Sequence, residues 1–449
     1  MLILKYAINF ICIRKEDIHM INSKNFYLRK IFLIIALTLG LSIFSYNLNA
    51  RADDPIKPGE TKENPIIINS KIDFESFVDE INSGNTFENQ YIKLNSDINL
   101  NSTEKISGKI IDWSSAGYCI LNSSNKVSSN SMAFQGNFDG NGYTINCNIN
   151  FLKSNSKGLS IFGYVGENAK IENVNVTGYI KGDHFNKTSA GLCDVNFGTL
   201  ENCNVKFNEI YGTYGSTGIC NINFGTIKNC EANGKVTAKD FICSGICGIN
   251  YGNIENCKSR CLINNCIENG IDNNGTYKMP ESAGISSYNY GKIANCESKS
   301  FILNANINNI TDGYEYYITR QINNPDSHDG CIGGIASRNN GLIDNCKFSG
   351  HINGYQAGGI CAINYETISN CSADCNLRGL ILGGISAQNI VGNKSVAYKD
   401  IIEVPGGNIE NCTFSGNINS LYLSGNIICE DFWKDSHATV KNCKYIKKD

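Results

Sequence analysis

The apolar positions of this chain recur in short blocks between residues 158 and 443, with no long stripe of helical period. After Cys230 the residues alternate, with Cys230, Ala232, Gly234 and Val236 on one side and Glu231, Asn233 and Lys235 on the other. A period of two predicts a β-strand. A second block, Gly followed by Ile or Leu and small residues, begins at Gly191, Gly218, Gly245, Gly284, Gly334 and Gly359. A third, Ile-x-Asn-Cys, runs from Leu200 to Cys203, Ile227 to Cys230, Ile254 to Cys257, Ile293 to Cys296, Ile343 to Cys346, Ile368 to Cys371, Ile409 to Cys412 and Val440 to Cys443. Ile171 to Val174 is a ninth copy that lacks the Cys. The step from the Gly of the second block to the Leu or Ile of the third is nine residues in each of those six copies. Between them stands Asn-aromatic-Gly, as Asn196 to Gly198, Asn223 to Gly225, Asn250 to Gly252 and Asn289 to Gly291. Asn and Gly both tolerate left-handed backbone, so this segment is read as a turn.

Each copy therefore predicts three short strands separated by turns, with successive Asn-Cys pairs as close as 25 to 29 residues. A strand-helix-strand unit does not repeat comfortably at that length. One coil of three strands cannot bury its own apolar side chains, whereas stacked coils close a shared core and pair their backbones with the coils above and below. The expected fold is all-β, a single-stranded parallel β-helix of about ten coils, right-handed because parallel crossovers strongly favour that hand.

The segment Ala190-Gly-Leu-Cys-Asp-Val-Asn-Phe-Gly-Thr-Leu-Glu-Asn-Cys203 resembles the GLUG repeat of bacterial surface and secreted proteins, and the likeness spans residues 158 to 443. The second Gly of that repeat survives only as Gly248; Asp194, Asn221, Ser287, Ser337, Ala362 and Ala387 replace it elsewhere. The resemblance implies a pectate-lyase-like β-helix in an extracellular or cell-surface, adhesin-like protein, and it implies no catalytic residues.

Ahead of the repeats, Ser70-x-x-Asp73 gives a helix-start signal, Phe74, Phe77, Val78 and Ile81 share one helical face, and Gly84 stops the pattern. Residues 73 to 83 are expected to form an amphipathic helix that caps the stack, whose open strand edges would otherwise invite pairing. Tyr91 to Leu100 alternates as a strand, and Phe134 to Ile145 reads as strand-turn-strand. Lys24, Arg29 and Lys30 precede an apolar run from Ile31 to Phe44, the layout of a secretory signal peptide. Residues 1 to 50 are read as that signal, with Met20 an alternative start, and the run is too short for a stable membrane span once cleaved. Residues 51 to 63 are read as a polar tether, 64 to 150 as cap and first coils, and 151 to 449 as the repeat body.

Composition narrows the partners. The leader holds six basic and two acidic residues, which leaves 33 basic and 40 acidic residues beyond it, near −7. That balance, without a basic stripe, excludes nucleic acid as a natural partner. Of 21 cysteines, 20 follow the leader's apolar run, and export brings disulfides to mind. Cys193/203, Cys220/230, Cys247/257 and Cys361/371 recur ten apart, yet Cys296, Cys346 and Cys412 persist where the partner column holds Ser286, Ala336 and Ser386. A column that accepts Ser and Ala wants small size, so the thiols are expected to be free, buried and packed as small apolar groups. Bridges are left open among Cys243, Cys261, Cys266, Cys331, Cys375 and Cys429. The spacing Cys243-x3-Cys247 with Cys257-x3-Cys261 departs from zinc knuckles, and no metal or cofactor site is assigned. The Asn before each Cys, from Asn173 to Asn442, is read as a ladder of side-chain amides along the stack.

No His-Glu-x-x-His, Gly-x-Ser-x-Gly or phosphate-loop pattern occurs, and His184, His328, His351 and His437 are scattered. The outward column Glu172, Glu201, Lys228, Glu255, Ala294, Asp344, Ser369, Glu410 and Lys441 is mixed and reads as a solubilising face, so no catalytic residue is assigned. Insertions at residues 264 to 282 and 303 to 331 fall at the same turn of successive coils and should protrude side by side. Tyr277 of the first and Tyr314, Tyr316, Tyr317, Arg320, Asp326, His328 and Asp329 of the second form the candidate ligand lobe, suited to glycans or to host or cell-surface proteins. A third insertion, 391 to 407, belongs to another turn. Two functions stand: a non-catalytic secreted or surface protein in adhesion, and a carbohydrate-active enzyme, a polysaccharide lyase or glycoside hydrolase, on the same scaffold.

Overall fold

The computed structural model describes residues 57–101, 105–106, 109–110, 127–128, 131–151, 158–182, 188–239, 241–265, 281–304, 330–390, 395–396, 401–402, 407–429 and 438–447. From Pro58 onward they belong to one compact unit. The unit is a parallel β-helix. One coil shows the plan: Thr226–Lys228 lies in a first sheet, Glu231–Ala238 and Ile242–Ser244 in a second, and Cys247–Asn250 in a third. The chain then returns to the first sheet at Asn253–Glu255, directly beside Thr226–Lys228. The first sheet holds 12 strands and the third holds 8, all in parallel register among the described residues. Each coil thus passes through three sheets, in keeping with the three strands read from the sequence, with the second-sheet strand broken in two in the coil just described and continuous at Lys347–Gly358 and Ser372–Gly383.

The repeat keeps its register because equivalent residues stand on one another. Leu200 pairs with Ile227, Ile227 with Ile254, Ile254 with Ile293, and the column continues to Ile409 without exposure. Ile219, Ile246, Ile285, Ile335, Ile360 and Ile385 make a second fully buried column. Each such side chain contributes about 1.5–3 kcal/mol by leaving water. The Gly ahead of the second column is obligatory for space, since a Cβ on Gly218 would collide with the carbonyl oxygen of Gly245, and one on Gly284 with that of Gly334.

The two Asn columns exchange the parts expected of them in one respect. Asn-aromatic-Gly was expected to supply left-handed backbone, but neither Asn223 nor Gly225 has positive φ. Asn196, Asn223, Asn250, Asn289, Asn339, Asn364 and Asn389 instead point inward and form a buried amide ladder. Asn223 Nδ2 donates to Asn250 Oδ1 at 2.8 Å, Asn250 Nδ2 to Asn289 Oδ1 at 2.9 Å, and Asn289 Nδ2 to Asn339 Oδ1 at 2.8 Å. The Gly that follows is needed because a Cβ on Gly252 would strike the carbonyl oxygen of Gly225. Left-handed backbone falls on the other column, the Asn before Cys, with φ of 53° at Asn202, 55° at Asn229 and 55° at Asn256. That column is also a ladder as expected, though an exposed one: Asn256 Nδ2 donates to Asn229 Oδ1 at 3.2 Å and Asn345 Nδ2 to Asn295 Oδ1 at 2.7 Å. Outside the turn the aromatic residues stack, Phe197 on Phe224 at 4.5 Å, Phe224 on Tyr251 at 4.9 Å and Tyr251 on Tyr290 at 5.0 Å.

The thiols pack as small apolar groups. No described cysteine is bridged, including Cys243, Cys261, Cys331, Cys375 and Cys429; Cys266 lies outside the described residues. Each thiol of the main column donates to its own coil and to the one before, as Cys230 Sγ does to Lys228 O at 3.3 Å and Leu200 O at 3.7 Å.

At the N-terminal end a helix, α1 (Lys71–Asn82), covers the first coil with Phe74, Phe77, Val78 and Ile81 buried. Ser70 caps it by accepting the Asp73 N–H, and Gly84 at φ 104° turns the chain away. The alternating stretch at residues 91 to 100 bends into two strands of different sheets, Tyr91–Leu94 and Ile98–Asn101. Ahead of α1, the Gly59 carbonyl accepts the Tyr91 N–H at 2.8 Å.

Asn250→Ala is expected to cost about 2–3 kcal/mol, because it strands the buried Asn289 acceptor and takes from Asn223 Nδ2 the shortest of its bonds. Asn256→Gly, which keeps the left-handed turn and loses only exposed amide bonds, should cost less than about 1 kcal/mol. Denaturant midpoints of the two variants against the parent chain measure the difference.

Candidate functional site

The outward column of the first sheet forms as expected, Glu172, Glu201, Lys228, Glu255, Ala294, Asp344, Ser369, Glu410 and Lys441 following one another in register, and Asp139 extends it by one coil. Much of its charge is neutralised by lysines within the column or two residues before it. Lys170 Nζ lies 2.6 Å from Glu172 and 2.9 Å from Glu201, Lys228 reaches Glu201 at 3.1 Å, and Lys292 reaches Glu255 at 3.2 Å. The Lys170 ammonium holds the Glu201 carboxyl below its ordinary range, and the Ser369 hydroxyl does the same for Asp344. A general acid needs its carboxyl raised toward neutrality, the reverse of this.

The six lobe residues, Tyr277, Tyr314, Tyr316, Tyr317, Asp326 and Asp329, lie outside the described residues, as do Arg320 and His328. The roots of the lobes are described. One insertion leaves Lys258–Asn265 and returns at Glu281–Ala283; the next leaves Phe301–Asn304 and returns at Cys331–Gly333. Asn265 pairs with Asn304 and Ser282 with Ile332, so both insertions spring from the same turn of neighbouring coils. The third insertion springs from the turn between the third and first sheets and contains the antiparallel pair Ser395–Val396 with Ile401–Ile402. His351 is exposed and stacks on Phe301 at 4.6 Å, far from any nucleophile pattern.

At the roots, in the outer corner between the second and third sheets, stands a cluster that sequence reasoning missed. Glu281, the first described residue after the first insertion, is fully buried. Arg338 Nη2 and Nε donate to its Oε1 at 2.6 and 3.1 Å, and the Ser337 hydroxyl donates to its Oε2. The Arg338 guanidinium lies 5.4 Å from the Tyr288 ring centre. Burial pushes the Tyr288 phenol well above its usual range, so it stays protonated. The available signal was Arg338 itself, the one charged residue in a column that otherwise reads Val195, Ile222, Ile249, Tyr288, Ile363 and Gln388.

Further along the same corner, Asp194 accepts from Asn221 Nδ2 at 2.7 Å and Thr188 Oγ1 at 3.3 Å, while Thr217 donates to Asn221 Oδ1 at 2.9 Å. Burial raises the Asp194 carboxyl to about 6. Thr188, beside Asp194, is three coils from Glu281 in register. At about 4.8 Å per coil the two acids stand roughly 14 Å apart. Paired carboxylates that cleave glycosides stand about 5–9.5 Å apart, so this pair does not meet that geometry. Among the described residues no three His, Cys, Asp or Glu side chains assemble into a metal site.

No protein-family model matches the chain, and no curated protein matches it. Among solved structures it is similar to a candidate immunoglobulin A1 protease from Bacteroides ovatus, at 15% identity and a TM-score of 0.36, over 88% of this chain and 86% of that one.

Arg338→Met is expected to cost about 3–5 kcal/mol by leaving Glu281 buried and uncompensated, and adding Glu281→Gln should restore much of it. Thermal melts of the single and double variants give the coupling. The raised Asp194 carboxyl sets a pH dependence of known sign. Unfolded Asp titrates near 3.9, so between about pH 4 and 6 the folded state holds the proton more tightly and stability falls as pH rises. Asp194→Asn should flatten the melting temperature across that window and raise it at pH 7.

Proposed function

We propose that this chain is an exported, non-catalytic β-helix of the GLUG-repeat kind that works at the cell surface or outside the cell in adhesion. The observation that carries this reading is the outward column of the first sheet: Asp139, Glu172, Glu201, Glu255 and Asp344 are ion-paired or hydrogen-bonded there, and the two acids buried in the outer corner stand too far apart to act together on one bond. A rigid stack with a salt-laced outer face is a display scaffold. The repeat phrases from Gly191 to Cys443 and the signal-like leader support the assignment to that kind and to export.

The lobes carry the proposed contacts. Two insertions rooted side by side would present Tyr277, Tyr314, Tyr316, Tyr317, Asp326 and Asp329 as one surface. Aromatic faces beside carboxylates suit glycans or surface proteins. The Glu281–Arg338 pair then has a structural role, fixing the strand that receives the first lobe against the third sheet. The second reading, a carbohydrate-active enzyme, draws on Asp194, whose carboxyl near 6 lies in the range of a general acid.

A glycan and host-matrix array run beside a polysaccharide depolymerisation screen separates the two. The adhesion reading expects retention on the array, loss of it on replacing the lobe tyrosines with Ala, and no cleavage of any polymer. Cleavage that disappears with Asp194→Asn would transfer the assignment to the enzyme.

A further inference from the structure

The cysteines of the two thiol columns recur with the repeat, and Cys331 does not. It stands in the outer corner, where it packs with Ala362 and Ile363 apart from the main core. Its own column reads Gly215, Ile242, Glu281, Cys331, Gln356 and Ile381, so three functional groups that the repeat does not call for fall on consecutive coils. All three side chains are fully buried. They also mark the roots of the lobes, since Glu281 and Cys331 open the strands to which the first and second insertions return.

Cys331 and Gln356 touch. The Gln356 N–H donates to the Gly330 carbonyl at 3.4 Å, which holds the two strands in register, and the Cys331 thiol donates to Gln356 Oε1 at 3.9 Å. The sulfur therefore stands beside a carboxamide whose carbon is one bond beyond that oxygen. The Arg338 guanidinium, held by Glu281, interacts electrostatically with Cys331. A neighbouring cation favours the thiolate, the form of sulfur that attacks a carbonyl carbon. Burial keeps out water, the nucleophile that would otherwise take the acyl group back. Neighbouring strands fix both partners, so the reaction has the high effective concentration of positioned groups.

We propose that Cys331 and Gln356 join in an internal thioester that ties the strand receiving the second insertion to the next coil. Sγ bonds to Cδ of Gln356, the Cδ–Nε2 bond breaks, and the thiol hydrogen leaves on that nitrogen as ammonia. Nothing is oxidised or reduced, and the escape of ammonia into solvent draws the exchange forward. The link belongs to the scaffold and does not depend on what the lobes bind.

Mass spectrometry tests it on the whole exported chain, purified folded and reduced with a phosphine. The intact mass should fall one ammonia below that of the sequence, and a peptide map should place the loss on a linked pair holding Cys331 and Gln356. Cys331→Ala and Gln356→Leu should each return the full mass. Denaturing the parent chain in methylamine should open the link, leaving a methylamide on Gln356 and one more titratable thiol, and the Cys331→Ala chain should show neither change. The full sequence mass in the folded parent, an ammonia loss mapped to another residue, or a Cys331–Gln356 link that survives methylamine overturns the proposal. The parent chain decides the matter by itself where a variant fails to fold. No lobe tyrosine is altered, so a failure here leaves the adhesion reading to its own array.

Discussion

Every coil of this molecule presents two rows of backbone N–H and C=O groups that only another coil of equal rise can satisfy. That demand forces parallel, in-register stacking, and the rest follows from it. In such a stack each side chain stands on its own equivalent, so a position survives only if it tolerates its own kind as a neighbour. Isoleucine and valine do so by packing, and the rings from Phe197 to Tyr290 do so by stacking. Asparagine does so because a carboxamide both donates and accepts. Charge does not, and the outward column accordingly mixes acid, base and neutral residues and draws on Lys170 and Lys292 from the flanking position.

The sequence made the period, the three-sided coil, the cap helix and the free thiols legible, because each leaves a spacing or a substitution pattern. Ser286 and Ala336 in a cysteine column speak for size alone, and the structure agrees. The parts of the two asparagine columns were harder to tell apart. Both recur beside turns, and the left-handed backbone that Asn favours suits either place. What separates them is which side faces the core, and Asn223 is inside because Gly225 lets the coils approach closely enough for an amide to span them.

The Glu281–Arg338 pair was illegible for a different reason. Its members are separated by 57 residues, one stands at the root of an insertion, and the other shows only as a lone charge in an otherwise uncharged column. Tertiary contacts that occur once leave no periodic trace. They gather here where the repeats are interrupted, and the interruptions are where the sequence differs most from coil to coil.

The buried amide ladder has a direction. From Asn196 to Asn389 every Nδ2 donates toward the later coil, and the Asn196 carboxamide oxygen at the start is left buried with no hydrogen-bond partner. A chain of donors aligned head to tail has one defect at its origin whatever its length. Duplicating a coil inside the ladder would therefore add a rung and no new defect, whereas losing a single residue would break several columns at once. The arrangement favours lineages in which such stacks lengthen or shorten by whole turns.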